Sequence, residues 1–206
     1  TQDVIEAMAE TKAAMPHLHM PLQSGSDRIL QAMRRSYRSD RYMKIIADVR
    51  QAMPDAGITT DIIVGFPGES EEDFSATLEV VRAAKFTAAY TFQYSKRPGT
   101  PAATMPNQID GKVMAERYTR LHNLQQEISG ALNADSVGKS YEILISDHEG
   151  RHDADRHRVN GRTPDFRLVH VEGTDARPGD IADVTITESS PNFMLASLSS
   201  VRRTRG

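Results

Sequence analysis

A parallel α/β layer followed by a small all-β barrel is the fold class that three features of the sequence predict. Three apolar runs end in polar or glycine-rich turns near residues 23, 65 and 94. Helical patterns separate the runs, and alternation of this kind predicts a parallel sheet. After Val137 the helical period gives way to short alternating runs punctuated by Gly138, Gly150, Gly161, Gly173 and Pro178-Gly179. Strands that short and that close predict a small β-barrel or sandwich. The expected division is residues 1–136, residues 137–200, and a disordered tail over 201–206.

Each element has a local cause. Val4, Ile5 and Met8 at helical spacing predict a short amphipathic helix over Gln2 to Lys12. His17, Leu18, His19, Met20 and Leu22 suggest a strand, closed by the polar turn Gln23-Ser24-Gly25-Ser26. Ser26 and Asp27 are placed to cap a helix from Arg28 to Arg35. Tyr42, Ile45, Ile46, Val49 and Met53 share one face of the next helix, which Pro54 and Gly57 end. Ile58, Ile62, Ile63 and Val64 then form a β-branched run between Gly57 and Gly65-Phe66-Pro67-Gly68, as in a strand covered on both faces. Ser70 to Asp73 reads as a capping box opening a helix that turns Phe74, Leu78 and Val81 inward. Ala88 to Tyr94 is the third strand. Val113, Leu121, Leu124, Ile128 and Leu132 mark one stripe of a long helix from Asp110 to about Asp135, able to link two domains. In the second region the expected core positions are Tyr141, Ile143, Ile145, Val169, Val171, Ile181, Val184, Ile186, Leu195 and Leu198.

Composition excludes several classes. A net charge of -3 over 206 residues argues against a generic nucleic-acid-binding surface, though not against a local basic patch. No run approaches the roughly 18 apolar residues of a membrane span, and no signal-peptide pattern opens the chain, so the expected compartment is the cytoplasm. The chain has no cysteine, which removes disulfides, thiolate metal sites and thiol nucleophiles.

In a parallel barrel the chemistry gathers at the C-terminal strand ends, here QSGS, GFPGE and YSKRPGT. The glycines at Gly65 and Gly68 would let a ligand approach the backbone. Asp61 is a carboxylate inside an apolar strand, there to bond a neighbouring strand or to touch a ligand. His17 and His19 share one strand face; with no third ligand in view, they read as hydrogen-bonded core residues. His148, His152 and His157 lie in a segment of balanced charge that reads as a solvated loop. No metal site and no catalytic residue is assigned.

At HLHMPLQSGSDRILQAMRRSY, TTDIIVGFPGESEEDF and YTFQYSKRPGTPAA the chain resembles the methylthiotransferases of the radical S-adenosylmethionine superfamily. The region beginning VGKSYEILI and containing VNGRTPDFRLVHVEG resembles their TRAM domain, an OB-like barrel. The likeness covers essentially the whole chain and is nearest the branch that acts on isopentenyladenosine beside the tRNA anticodon. It implies reductive cleavage of S-adenosylmethionine to an adenosyl radical, methylthiolation at C2 of the base, and two 4Fe–4S clusters. Such clusters need thiolate ligands. A chain without cysteine therefore reads as the cluster-free carboxy-terminal part of a longer enzyme, inactive without its amino-terminal domains. Other readings are a methylthiotransferase of another branch, acting on another base or on a ribosomal protein, and a non-catalytic RNA-binding protein.

The resemblance also assigns residues. Gln23, Ser24 and Gly25 would meet the methionine or ribose part of the cofactor, and Arg34 or Arg35 its carboxylate. The adenine-packing stretch G-x-I-x-G-x-x-E is matched loosely, with Asp61 at the first glycine, Ile63 and Gly65 in place, and Glu69 one residue late. Tyr94, Ser95, Arg97 and Thr100 would form a rim toward RNA or substrate. In the barrel, Arg158, Arg162 and Arg167, with Arg151 and Arg156 nearby, would contact the anticodon stem-loop. A partial barrel leaves an edge strand beside His17 to Leu22, which predicts self-association.

Overall fold

Alternation along three strands decides where everything else packs. The computed structural model describes residues 2–147 and 158–203. Its first region holds α1 (Gln2–Glu10), β1 (His17–His19), α2 (Asp27–Ala32), α3 (Ser39–Ala52), β2 (Gly57–Val64), α4 (Glu71–Ala84) and β3 (Ala88–Gln93). The strands form a parallel sheet in the order β1-β2-β3. Successive side chains point to opposite faces. Ile58, Ile62 and Val64 turn to one face and join Leu22, Ile46, Val49, Phe74 and Val81 in the core. His17, His19, Thr59, Asp61, Ile63, Tyr90 and Phe92 belong to the other. The sheet is thus helix-covered on one face only, not on both. Thr59 and Asp61 interrupt the apolar run at alternate positions, and Tyr90 and Phe92 are about half exposed, at 51% and 53%.

The helix caps follow the sequence. Ser70 accepts from Asp73 N–H while Asp73 reaches back to Ser70 N–H, completing a capping box on α4. Ser26 caps α2 through Ile29 N–H. That helix ends at Ala32 rather than Arg35, because Arg34 takes a left-handed conformation at φ 58°.

After α5 (Pro101–Thr104), the helix α6 (Gly111–Ala134) crosses the layer and leads into the second region. Its buried positions are Arg117, Leu121, Gln125, Ser129 and Asn133, an i, i+4 series that is mostly polar. The expected apolar stripe is only partly right: Val113 is exposed, and Leu124 and Ile128 are half-buried. The polar groups each have a task. Gln125 donates to Phe86 O at 2.8 Å, Ser129 to Thr87 O at 3.1 Å, and Asn133 to Ser190 O at 2.8 Å. α6 is therefore fastened by hydrogen bonds to the segment just before β3 and to the second region.

Strands β4 (Ser140–Ile145), β5 (Arg158–Arg162), β6 (Leu168–Glu172), β7 (Ile181–Ser189) and β8 (Met194–Arg202) close a barrel in the order β4-β5-β6-β8-β7. Ile143, Ile145, Val169, Val171, Val184, Ile186 and Met194 fill it. In β8 the inward residues are Met194 and Ala196, while the expected Leu195 is half-buried and Leu198 is 36% exposed. Val201 and Arg202 belong to β8, so the strand extends into the stretch expected to be a tail.

The hairpin between β5 and β6 meets the sheet at its N-terminal strand ends. Phe166 stacks on His17 with centroids 4.7 Å apart. A Cβ on Gly57 would fall 2.2 Å from Asp165 O, so only glycine allows this approach. Arg167 completes the joint: its guanidinium bonds Asp165 Oδ2 at 2.6 Å, Leu132 O at 3.0 Å and Ser136 Oγ at 2.8 Å.

Candidate cofactor and substrate cavity

The C-terminal ends of the strands surround a cavity of about 610 Å³. It brings together Gln23, Arg35, Asp61, Tyr94, Ser95, Arg97 and Thr100 from separate stretches of the chain. Arg34 shares the wall, and Met33, Ile63, Phe66, Phe92 and Met105 supply its apolar part.

Gln23 enters the wall through an unusual backbone. It bonds β2 on both sides, N–H to Asp61 O at 2.8 Å and O from Ile63 N–H at 2.9 Å. Its φ is 66°, a left-handed value that costs a non-glycine residue about 1 kcal/mol or more. Such outliers gather at ligand sites. Tyr94 makes a second such demand. Its ring packs edge-on to Phe66 at 5.4 Å, yet its hydroxyl is buried without a partner. A buried hydroxyl left unpaired costs roughly 1–3 kcal/mol. Asp61 is the acidic member of the wall, hydrogen-bonded to His19 at 3.3 Å. Arg34, Arg35 and Arg97 are exposed around it. The cavity thus combines a carboxylate and guanidinium groups with aromatic and thioether side chains.

Four expected contacts face elsewhere. Ser24 is fully buried and lies 3.4 Å from Thr77 Oγ1 on α4, and Gly25 donates to the same oxygen at 2.9 Å. A Cβ on Gly25 would sit 2.5 Å from Thr77 Cα, and one on Gly65 2.2 Å from Met114. These glycines admit the close approach of helices. Glu69 accepts from Gly65 N–H and from Arg117 Nη1, both at 2.8 Å, with the ion pair almost wholly buried. Burial pushes the Glu69 carboxyl up; Gly65 N–H and the Arg117 charge pull it the other way. It holds the βα turn from beneath.

The barrel arginines also divide. Arg162 is exposed, lies over Phe166 at 4.7 Å and donates to Phe166 O at 3.2 Å. Arg158 is half-buried in β5. Arg167, expected at the RNA face, is instead turned into the helix–barrel joint by its bonds to Leu132 O and Ser136 Oγ. Arg151, Arg156, His148, His152 and His157 lie outside the described residues. His17 and His19 are hydrogen-bonded as expected, but they lie on the open face rather than in the core. Among the described residues no three His, Cys, Asp or Glu side chains are grouped to hold a metal ion. With no cysteine in the chain, iron–sulfur clusters do not fit these residues.

The period of two along β3 places Tyr90, Phe92 and Tyr94 on one side, a signal for the aromatic wall. Nothing local points to Arg117, whose partner Glu69 lies 48 residues away.

Comparison with known proteins gives this arrangement its class: a radical S-adenosylmethionine layer joined to a TRAM barrel. The radical SAM superfamily model matches residues 1–81 and the TRAM domain model residues 135–198. Among solved structures, the coproporphyrinogen III oxidase HemN of Escherichia coli, a radical SAM enzyme, has the same fold. Its TM-score is 0.53 at 14% identity, covering 90% of this chain and 44% of that one.

Over its whole length the chain is similar to methylthiotransferases of the radical SAM superfamily. Curated relatives named tRNA-2-methylthio-N(6)-dimethylallyladenosine synthase are 58% identical over 206 residues in Acidothermus cellulolyticus and 60% over 209 in Streptomyces coelicolor. Both matches cover all of this chain and 41% of the relative. A third, in Clavibacter sepedonicus, is 60% identical and covers 95% of this chain and 38% of the relative. The chain thus spans about two fifths of the length of these relatives. No described helix is long and apolar enough to cross a membrane.

Proposed function

We propose that this chain supplies the cofactor and RNA side of a tRNA methylthiotransferase that modifies a dimethylallylated (isopentenylated) adenosine. The observation that carries the reading is the convergence of Gln23, Arg35, Asp61, Tyr94 and Arg97 on one cavity. In this reading Asp61 receives the ammonium group of S-adenosylmethionine, and Arg34 or Arg35 its carboxylate. Tyr94 donates to a polar ligand atom, and Phe66 and Phe92 exclude water. Bound S-adenosylmethionine would be the source of an adenosyl radical once reduced by a cluster, and the cluster thiolates would come from outside these 206 residues. Arg97, with Ser95 and Thr100, meets the RNA at the cavity mouth, and Arg162 offers a second phosphate contact on the barrel. The protein works on cytoplasmic tRNA.

Binding of an anticodon stem-loop across a salt series tests the RNA half. Phosphate contacts make log affinity fall linearly with log salt. Arg97→Glu is expected to weaken binding and to reduce the slope by about one, for the phosphate that is no longer neutralised. An unchanged slope, with binding abolished by Arg162→Glu alone, would move RNA recognition to the barrel. A chain that binds the stem-loop but never S-adenosylmethionine, even beside its cluster-bearing partner region, would favour a non-catalytic RNA-binding protein.

A further inference from the structure

Along the open face of the sheet, four polar side chains are joined end to end. His17 Nε2 and His19 Nδ1 each lie 3.0 Å from Thr59 Oγ1, and His19 Nε2 lies 3.3 Å from Asp61 Oδ2. A hydroxyl has one proton, so Thr59 donates to one imidazole and accepts from the other. An ionised carboxylate only accepts, so His19 carries a proton on Nε2. A neutral His19 then has a bare Nδ1, and Thr59 must donate to it. The Thr59 oxygen in turn accepts from His17 Nε2–H. Every hydrogen bond points from His17 toward Asp61, and both histidine tautomers are fixed.

The two ends of this chain lie in different parts of the molecule. Asp61 lines the cavity. His17 is stacked on Phe166 of the barrel, where Asp165 and Arg162 also act on it, beside His19 on its own strand. Burial pushes His17 below the usual imidazole range, which keeps it neutral. Around His19 stand Thr59 and Asp61 of β2 and the edge of the Tyr90 ring of β3, 5.9 Å away.

We propose that His17, Thr59 and His19 are positioning residues for Asp61, forming a one-directional hydrogen-bond chain that ties the charge state at the cavity to the tautomer of His17 at the domain junction. Uptake of one solvent proton at His19 Nδ1 makes that nitrogen a donor. Thr59 must then turn its own proton toward His17. His17 Nε2 becomes an acceptor by giving its proton to solvent, and Nδ1 takes one up, so the net change is one proton gained. The cavity and the barrel interface thereby share a two-state element.

This goes beyond the proposed function, and its test needs neither RNA nor cofactor. Long-range proton–nitrogen correlation on the histidine-labelled 206-residue chain reads the tautomers directly, with assignment by His17→Gln and His19→Gln. Both residues are expected as Nε2–H tautomers at neutral pH. Asp61→Ala is expected to shift His17 toward the Nδ1–H tautomer, although His17 makes no hydrogen bond to Asp61, and Thr59→Val is expected to abolish that response. His17 nitrogen shifts that superimpose in the wild type and Asp61→Ala, with the backbone spectrum intact, would overturn the proposal, as would an Nδ1–H His17 in the wild type. Should the variants not fold, the wild-type spectrum decides: Nε2–H tautomers are expected at both His17 and His19, and an Nδ1–H tautomer at either contradicts the chain.

Discussion

The two faces of the same three strands have been given opposite work. Toward the helices, Ile58, Ile62 and Val64 are at most 1% exposed and lock into an apolar core. On the other side, His19, Tyr90 and Phe92 are exposed, and Asp61 opens into the cavity. Stability and chemistry are thereby separated by nothing more than the pleat of a strand. The difference teaches that a conspicuous turn residue need not serve a ligand. Ser24, Gly25 and Glu69 sit in the same turns as Gln23 and Phe66, yet they hold helices against the covered face.

If that division is right, substitutions should rank by side. Arg117→Ala leaves the Glu69 carboxylate buried and unpaired, and is expected to lower unfolding free energy by about 3–5 kcal/mol in urea. Ile62→Ala, on the covered face, should cost about 2–5 kcal/mol. Asp73→Asn comes next, at about 1–3 kcal/mol, since it weakens the contacts to Ser26, Ser70 and Arg28. Asp73 also sets a pH response. Burial alone would raise its carboxyl, but the hydrogen bonds from Arg28, Ser26 and Ser70 outweigh that and hold it well below the usual range. A depressed folded pKa contributes stability that is fully present above the unfolded value of about 4 and is lost as the pH falls toward the folded one. Wild-type urea midpoints should therefore drop in acid more steeply than those of Asp73→Asn. Tyr90→Ala, on the open face, should change stability by no more than about 0.5 kcal/mol. A loss comparable to that of Ile62→Ala would mean the open face is also core.

Much of this fold was legible because local patterns carried it: the capping box at Ser70, the three turn-terminated strands, and the inward Ile143 and Ile145 of the barrel. The gathering of strand ends at residues 23, 65 and 94 was legible for the same reason. What the pattern left out has a common cause. The buried stripe of α6 is written in Arg117, Gln125, Ser129 and Asn133, whose partners include remote backbone carbonyls and, for Arg117, the distant carboxylates of Glu69 and Glu71. Polar residues at helical spacing otherwise read as a solvated face. Likewise, the left-handed turn at Gln23 decides that Gln23 meets the cavity while Ser24 and Gly25 meet α4, and no residue type there announces it. The arginine-rich stretch of the barrel could not disclose that Arg167 closes the joint with α6.

The most direct test of the separation is an amide NMR titration of the chain with S-adenosylmethionine. Saturable shifts centred on Gln23, Asp61 and Tyr94, with Glu69, Thr77 and Arg117 unmoved, are the predicted result. Shifts centred on the Gly65–Glu69 turn and α4 would contradict it, and would return the ligand to the helix-covered side of the sheet.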